Sequence, residues 1–289
     1  MNAKPVLGVI GGSGLYDFPS LDKTSTYNPQ TPFGYPSAPV VIGELNGKPV
    51  AFLARHGIGH TISPTEVNSR ANIYALKMLG VERIISISAC GSLREDFAPG
   101  NIVIPDQLFD HTHLRPRSFF SDGLVVHVGS ADPFCAELST LLHQAVSAAA
   151  GISVHKGGAM ITIEGPRFST KAESNIYRMW GLSLIGMTTC PEAFLAREAE
   201  MCYSVMAHVT DYDVWHLTEE GVSVEMVMKT LMKNTEVAQR SITTLVNSLP
   251  EKSECSCNHA LENAIITNRA SINSETAQKL NLLIEKYVK

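Results

Sequence analysis

The stretch VLGVIGGSG, residues 6–14, places an apolar run directly before a cluster of glycines. The run Val6–Ile10 predicts a buried strand, and the glycines let the backbone turn tightly and point its N–H groups at an anion. A strand-like run followed by small, hydroxyl, cationic or acidic residues recurs in LARHGIGH (53–60), SACGSL (88–93), TIEGPRFS (162–169), GMTTCPE (186–192) and TDYDVW (210–215). Because an α/β sheet builds its ligand site at the ends of its strands, these six stretches predict one common site.

Strand-like and helical segments alternate along the chain. Apolar runs predict strands at Val6–Ile10, Val40–Leu45, Val50–Ala54, Arg83–Ala89, Asn101–Pro105, Gly158–Ile163, Ser183–Met187 and Tyr203–Val209. Capping residues, Pro and Gly predict helices over Glu66–Leu79, Phe134–Ala150, Glu192–Glu200, 222–248 and Ser274–Val288. The alternation predicts an α/β fold with a central mixed or mostly parallel β-sheet flanked by helices. We expect residues 1–250 to form a single α/β domain, and residues 251–289 to form a C-terminal loop and helix packed on it.

The composition limits the partners of the protein. The chain has 289 residues, of which 44% are hydrophobic and 18% are charged, with a net charge of −5. The length suits one large α/β domain or two ordinary ones, and the low charged fraction indicates surface buried in an oligomer. No run of Lys and Arg is present, so we expect no nucleic-acid partner. No stretch has the pattern of a signal peptide or a membrane span, which favours a cytoplasmic protein without a membrane partner.

The six cysteines are scattered along the chain, at Cys90, Cys135, Cys190, Cys202, Cys255 and Cys257. None belongs to a C-x-x-C pair and no Cys/His spacing matches a zinc site, so we expect no metal. Buried free thiols are the default in a reducing cytosol. The pair Cys255-Ser-Cys257 has two interpretations, a redox-active or stapling pair and two incidental thiols, of which the reducing compartment favours the second.

Three of the six stretches carry groups that bind anions. Ser13 adds a hydroxyl to the glycine cluster, Arg55 and His56 follow the second run, and Ser88 follows the third. An arginine fork beside other donors suits a phosphate. The competing interpretations are a plain turn or a dinucleotide-binding loop for the glycine cluster and a surface ion pair for Arg55. The dinucleotide interpretation fits poorly, because the glycine spacing differs and no strand ending in an acid follows about 20 residues later.

Two further stretches supply groups for a sugar or a ring. Thr188 can donate to a phosphate near a helix N-terminus, Met187 can pack on a sugar, and Phe168 can stack on a heterocycle. Glu192 is accounted for as a capping-box residue without a catalytic role.

Asp211 and Asp213 follow the apolar strand Tyr203–Val209, and two acids at i, i+2 are hard to explain by packing. They could bind a metal, but no third ligand lies near in sequence. They could also read a purine, one carboxylate accepting from an exocyclic amine while the other, protonated, donates to a ring nitrogen. The motif His111-Thr112-His113 lacks a carboxylate partner at a suitable spacing, so we expect loop histidines there.

The six stretches together resemble the purine nucleoside phosphorylase family, and within it the 5′-methylthioadenosine phosphorylases. The resemblance covers about residues 5–250 and is carried by IGGSGL (10–15), ARHG (54–57), ACGSLRE (89–95), IEGPRFS (163–169), MTT-PE (187–192) and TDYD-W (210–215). It implies a three-layer α/β fold around a mixed sheet and a homotrimer with sites near the subunit interfaces. It also implies phosphorolysis in purine and methionine salvage, in which phosphate attacks C1′ of methylthioadenosine and releases adenine and 5-methylthioribose 1-phosphate. No cofactor or metal is implied, because phosphate is a co-substrate.

By motif, the resemblance also implies a role for individual residues. The residues that correspond to the phosphate site are Ser13, Arg55, His56, Ser88, Ala89 and Thr188. The residues that correspond to the nucleoside site are Met187 at the ribose, Phe168 stacking on the base, Asp211 and Asp213 reading the purine, Val224, Val227 and Met228 around the methylthio group, and His127 reaching a neighbouring subunit's site. Ser169 and Val224 correspond to specificity positions.

The implied chemistry places an acid at the leaving base. The leaving adenine gains electron density at N7, so a protonated carboxyl there lowers the barrier; we assign this role to Asp213 and the 6-amino side to Asp211. The chain departs from many relatives at Ser13 and Ser88, where Thr is common, and at Gly186, where Asn is common. Two other functions stay open: a 6-oxopurine or methylthioinosine phosphorylase, which an Asn at one acid position would suit better, and a nucleoside-binding or redox-sensing module without catalysis.

Overall fold

The computed structural model describes residues 4–12, 21–216 and 224–288, without the side chains of Ala150, Val224 and residues 226–234. In this part of the chain one mixed sheet contains the strands β1 Leu7–Gly11, β2 Asp22–Tyr27, β3 Val40–Leu45, β4 Lys48–Ala54, β5 Arg83–Ser92, β6 Ile102–Ile104, β7 Gln107–His111, β8 Val154–Lys156, β9 Ala159–Ile163, β10 Leu184–Gly186 and β11 Cys202–Asp211. The helices are α1 Ser69–Met78, α2 Ala136–Ala150, α3 Lys171–Met179, α4 Thr189–Glu198, α5 Val224–Ser248, α6 Ser274–Lys279 and α7 Asn281–Ile284.

The long strand β5 organises the sheet. It runs parallel to β1 on one edge and to β11 on the other, and β4 runs parallel to β1. Near its end β5 pairs antiparallel with β10, which places Leu184 opposite Ser92 and Ile185 opposite Gly91. The carboxyl ends of β1, β4, β5 and β11 therefore meet at one edge of the sheet, and β10 approaches that edge from the opposite direction.

Alternate residues of each central strand point to opposite faces, and each face has its own core. Ile10 of β1 lies in the cluster that includes side chains of α1 and α4. Its neighbour Val9 lies in the cluster that includes side chains of α2 and α5. Helices thus cover both faces of the mixed sheet, which confirms the predicted three-layer α/β class.

The C-terminal segment contributes to the first of these cores. Leu261, Leu280, Leu283 and Ile284 are all buried there, beside α1 and α4. Residues 264–267 also pair with the loop of residues 125–127, through the bonds His127 N to Ala264 O at 2.8 Å and Ile266 N to Val125 O at 3.0 Å.

The predicted strands are all present, but β2, β7 and β8 were missed. These three strands lie at edges of the sheet and have few buried residues, as the sequence DKTSTY of β2 illustrates. Edge strands lack the continuous apolar run on which the prediction depended.

Several helix starts differ from the prediction. Glu66 does accept hydrogen bonds from the amide and hydroxyl of Ser63, but α1 begins only at Ser69, because the Asn68 side chain caps it by accepting from Ala71 N. The predicted helix Ser274–Val288 is divided into α6 and α7 at Leu280, whose backbone leaves the helical conformation. Within the described part of the chain, no helix combines the length and the hydropathy that crossing a membrane requires.

Candidate active site

The β5–β10 register brings two hydroxyl groups together. Continuing the pairing of Leu184 with Ser92 along the antiparallel strands places residue 188 opposite residue 88. Accordingly the Ser88 and Thr188 hydroxyl oxygens lie 3.1 Å apart, although the residues are 100 positions apart in sequence. Ser88 is buried and Ala89 is half-buried beside it. Three predicted phosphate-site residues therefore lie together at one edge of the sheet.

Arg55 lies in the same region, but its guanidinium group is already bound. Its Nε donates to Glu192 Oε1 at 2.7 Å, and its Nη2 contacts Glu192 Oε2 at 3.1 Å and Ser86 Oγ at 2.6 Å. Both charged side chains are almost fully buried. Burial opposes the charge of Arg55, but the Glu192 carboxylate outweighs burial and raises the pKa of the guanidinium above its usual value. Whether Arg55 also contacts phosphate stays a prediction.

The interpretation of Glu192 as a capping-box residue was wrong. Its carboxylate accepts from Arg55 and from the Tyr203 hydroxyl at 3.2 Å, and the α4 cap residue Thr188 makes no side-chain capping bond. Cys190 in the first turn of α4 has non-helical backbone angles, so Glu192 does not occupy the third position of a regular helix start. Glu192 instead holds the buried cation of Arg55 in place.

His56 is buried beside Arg55 and is held in one orientation. Its Nδ1 lies 2.9 Å from the carbonyl oxygen of Ile62, and its ring stacks on His60 at 4.4 Å between centroids. Burial, followed by the charge of Arg55, lowers the pKa of His56 to about 4, so the ring is neutral near pH 7. A neutral ring that donates from Nδ1 to a carbonyl exposes Nε2 as an acceptor. This arrangement suits the protonated oxygen of a hydrogen phosphate ion better than the donor role that the sequence predicted.

Arg115, which no motif indicated, ties three loops of the site together. Its Nη1 donates to the carbonyls of Met187 and Cys190, each at 2.7 Å, and its Nε donates to Glu164 Oε1 at 2.9 Å. The Glu164 carboxylate also accepts from the backbone N–H of Leu114 at 2.9 Å. Arg115 is buried, so it fixes the backbone on both sides of Thr188.

The acids Asp211 and Asp213 are both buried at the end of β11 and have different partners. Asp211 accepts from the Thr210 hydroxyl at 2.6 Å and from the Asp213 amide at 2.8 Å. The Oδ2 atom of Asp213 is buried and has no hydrogen-bond partner among the described residues. Burial raises the pKa of both carboxyl groups, and the charge of Asp211 raises that of Asp213 further. Asp213 is therefore the acid with an oxygen available to a ligand.

Two serine hydroxyls lie in the environment of Asp213. Ser169, a predicted specificity residue, and Ser174 are both buried, and their hydroxyls offset part of the rise in the pKa of Asp213 that burial causes. Neither hydroxyl makes a hydrogen bond of normal geometry with any described residue. Buried polar groups are rarely left unpaired in proteins, so this cluster fits a polar ligand such as a purine edge.

Gly91 positions the acids against β5. It is the register partner of Asp211, and a Cβ atom added to it would lie 2.9 Å from Asp211 Oδ1 and 3.3 Å from Asp213 Cβ. Gly91 is three residues beyond Ser88, a distance of about 10 Å along a strand. Along β5, the strand position of the hydroxyl pair and that of the acid pair are thus separated by roughly the length of a ribose and a purine ring.

The remaining predicted residues are distributed more widely. Met187 packs against Gly165, where a Cβ atom would lie 2.7 Å from its sulfur, and Phe168 is 39% exposed. His127 is exposed on the loop that pairs with the C-terminal segment. The described part of the chain does not include Ser13 or the side chains of Val224, Val227 and Met228. The backbone of the last three lies at the start of α5.

This geometry agrees with the comparison with known families. The model of the phosphorylase superfamily matches residues 6–247. The chain belongs to this superfamily. The family identification made from the six stretches of sequence is thereby confirmed.

Relatives in the phosphorylase superfamily match the chain over nearly its whole length. The chain is 51% identical to the S-methyl-5′-thioadenosine phosphorylase of Geobacter sulfurreducens over 284 residues, which covers 98% of this chain and 99% of the relative. A crystal structure of methylthioadenosine phosphorylase from an antarctic soil metagenomic library superposes with a TM-score of 0.93 at 45% identity, covering 98% of this chain and 100% of that one. Methylthioadenosine phosphorylase from Schistosoma mansoni in complex with adenine gives a TM-score of 0.82 at 38% identity, covering 90% and 96%.

Proposed function

We propose that this enzyme catalyses the phosphorolysis of S-methyl-5′-thioadenosine to adenine and 5-methylthioribose 1-phosphate. The observation that carries the proposal is the buried, unpaired oxygen of Asp213, just beyond the register partner of Gly91, which lies about 10 Å along β5 from Ser88 of the Ser88–Thr188 hydroxyl pair. A protonated acid at one end and anion donors at the other fit a nucleoside lying between them. The names and the near-complete coverage of the relatives support the same substrate.

Phosphate occupies the hydroxyl end of the site. The hydroxyls of Ser88 and Thr188 donate to its oxygens, with further contacts from Ala89 and Ser13. The neutral His56 ring accepts from the protonated phosphate oxygen. Arg55 provides positive charge close to the anion. The Glu192 carboxylate pairs with the Arg55 guanidinium and so compensates for its burial. These groups hold the nucleophile in line with C1′ without a metal or a cofactor.

The reaction exchanges one bond at C1′ for another. The C1′–N9 bond breaks as the ribosyl group gains oxocarbenium character, and its electron pair moves into the adenine ring. A phosphate oxygen donates a lone pair to form the C1′–O bond. The carboxyl proton of Asp213 moves to N7, and the resulting carboxylate regains a proton from solvent after adenine leaves. Burial raises the pKa of Asp213, which favours the protonated carboxyl that this step requires.

The rest of the substrate is bound by residues on several segments. Asp211 reads the 6-amino side of the base and Ser169 lies beside it, while Met187 contacts the ribose and Phe168 stacks on the base. An apolar wall of Val224, Val227 and Met228 accepts the methylthio group. The enzyme is a homotrimer in which the exposed His127 reaches the neighbouring site, and it acts in the cytoplasm in purine and methionine salvage.

One assay tests the proposed reaction. The protein is incubated with methylthioadenosine, adenosine and inosine in parallel, each with and without phosphate, and free base is measured. Adenine release from methylthioadenosine that requires phosphate supports the proposal. Equal release without phosphate indicates a hydrolase, preferential cleavage of inosine indicates a 6-oxopurine enzyme, and binding without release indicates a nucleoside-binding module.

A further inference from the structure

Four of the six cysteines converge at one place remote from the acids. The sulfur atoms of Cys135, Cys202, Cys255 and Cys257 all lie within 4.8 Å of one another. They come from three separate elements: the N-cap of α2, the first residue of β11 and the C-terminal segment. Cys202 and Asp211 are at opposite ends of β11, about 30 Å apart along a strand. The cluster is therefore not part of the candidate active site.

The separations within this cysteine cluster suit coordination to a common ion. Zinc binds thiolate sulfur at about 2.3 Å in tetrahedral sites, which places the sulfurs about 3.8 Å from one another. The Cys202 and Cys255 sulfurs are 3.2 Å apart, and no pair exceeds 4.8 Å, so the four atoms bracket this spacing. A disulfide bond would bring two sulfurs to about 2.05 Å. All six cysteines are free thiols in the structure.

Donors around the cluster point at the sulfur atoms. The Leu138 amide in the first turn of α2 lies 3.5 Å from the sulfur of Cys135, and the Ser253 hydroxyl lies 3.0 Å from that of Cys255. Arg197 Nη1 lies 3.5 Å from the sulfur of Cys257. Four thiolates and a divalent ion carry a net charge of −2, which a nearby arginine and a helix N-terminus stabilise. The Ser253 hydroxyl also lies 3.8 Å from the sulfur of Cys202, so each of the four sulfurs has a polar neighbour of the kind that metal-bound thiolates use.

We propose that Cys135, Cys202, Cys255 and Cys257 form a closed, tetrahedral zinc site that fixes the C-terminal segment to the α/β core. Protein sulfur atoms fill all four coordination positions of the ion, which is typical of structural rather than catalytic zinc. Spacing rules did not predict this site, because only two of the ligands are close together in sequence and the other two lie far upstream. Zinc binding displaces the thiol protons and joins α2, β11 and the C-terminal segment at one point. That segment also pairs with the loop that carries His127, so the zinc site supports a region remote from the metal.

Metal analysis of the full-length protein tests this proposal. The protein is expressed with added zinc, purified under reductant and analysed by mass spectrometry for metal, and its thiols are counted after denaturation with a chelator. We expect close to one zinc per chain and all six thiols. Cobalt loaded in place of zinc should give a sulfur-to-cobalt charge-transfer band and the intense visible bands of a tetrahedral thiolate site.

Variants separate a specific site from loss of folding. Cys255→Ser and Cys257→Ser, in the C-terminal segment, should lose the zinc and the cobalt spectrum, whereas Cys90→Ser, outside the cluster, should keep both. Ser253→Ala keeps all four ligands and should lower zinc affinity about tenfold, as loss of an outer partner does. Metal-free protein with six thiols after zinc reconstitution under reductant would overturn the proposal. Two other results would also overturn it. One is the presence of disulfide bonds among the cluster cysteines, and the other is a Cys255→Ser variant that retains zinc and the tetrathiolate cobalt spectrum.

Discussion

The hydroxyl oxygens of Ser88 and Thr188 lie 3.1 Å apart at the point where β5 and β10 meet. The pair is a consequence of the antiparallel register of these strands, and Arg115 fixes the backbone beside it by binding the carbonyls of Met187 and Cys190. Two hydroxyls at this spacing can donate to two oxygens of one tetrahedral anion.

Replacement of either hydroxyl should therefore weaken phosphate binding. A hydrogen bond to a charged group contributes about 1.5–3 kcal/mol, so we expect Ser88→Ala and Thr188→Ala each to raise the KM for phosphate about tenfold to a hundredfold. The KM for methylthioadenosine should change far less. Steady-state kinetics with each substrate varied in turn measures both values, with Thr243→Ala as a control because, among the described residues, that hydroxyl binds the carbonyl of Gln239 in its own helix. An unchanged KM for phosphate in both variants would place the anion elsewhere.

The buried pair of Arg55 and Glu192 predicts a large effect on stability. Glu192→Gln leaves the Arg55 cation buried without its counter-charge, which typically costs about 3–5 kcal/mol of unfolding free energy. Urea unfolding at a fixed protein concentration measures the loss. The matched control is Asp96→Asn, which breaks the exposed pair with Arg94 and should cost less than about 1 kcal/mol. Equal effects of the two substitutions would mean that burial of the Arg55 pair has no energetic consequence.

The sequence was most informative where a residue's role depends on its immediate neighbours. The central strands and the loops that follow them were predicted because their apolar runs and small residues are contiguous. Glu192 was misassigned because its position three residues after Thr189 imitates a capping box, whereas its partner Arg55 is 137 positions away. The partners of Arg115 and the cysteine cluster depend in the same way on contacts between distant segments, which spacing rules do not detect.

Asp213 should behave as a general acid. Asp213→Asn keeps the size of the side chain and can still donate a hydrogen bond, but it cannot transfer a proton, so we expect kcat to fall by about 10²–10⁴-fold. The wild-type kcat should decline as the pH rises through the raised pKa of Asp213, because the protonated form is then lost. The variant should lack this decline. A pH profile of kcat for both proteins tests the assignment, which fails if the alkaline limb persists unchanged in the variant.

Asp211 should instead determine which purine is accepted. Its carboxylate can accept from a 6-amino group, whereas an amide can donate to a 6-oxo group. We therefore expect Asp211→Asn to shift the ratio of kcat/KM values from methylthioadenosine toward methylthioinosine. Competition between the two nucleosides measures this ratio directly. A variant with the full wild-type preference for the 6-amino base would show that another group reads position 6.

His208 should make the protein less stable in mild acid. Its ring is fully buried in β11, neither nitrogen has a hydrogen-bond partner among the described residues, and burial lowers its pKa to about 4 from 6.5. Because the unfolded chain binds the proton more tightly, the contribution of His208 to stability is fully present above pH 6.5 and is lost as the pH falls toward 4. At pH 5.5 the loss amounts to about 1 kcal/mol.

His208→Leu should remove this dependence, since the substitution leaves no buried group to protonate. The Tm of the variant, measured from pH 8 to 5.5, should fall less steeply than that of the wild type, while the exposed control His259→Gln should follow the wild type. Burial raises the pKa of Glu198 from 4.5 to about 7, so Glu198 contributes with the opposite sign: its contribution to stability is fully present below pH 4.5 and is lost as the pH rises toward 7. Glu198 is common to all three proteins and cancels in the comparison. Parallel curves for the wild type and His208→Leu would contradict the prediction, because they would show that folding does not lower the pKa of His208.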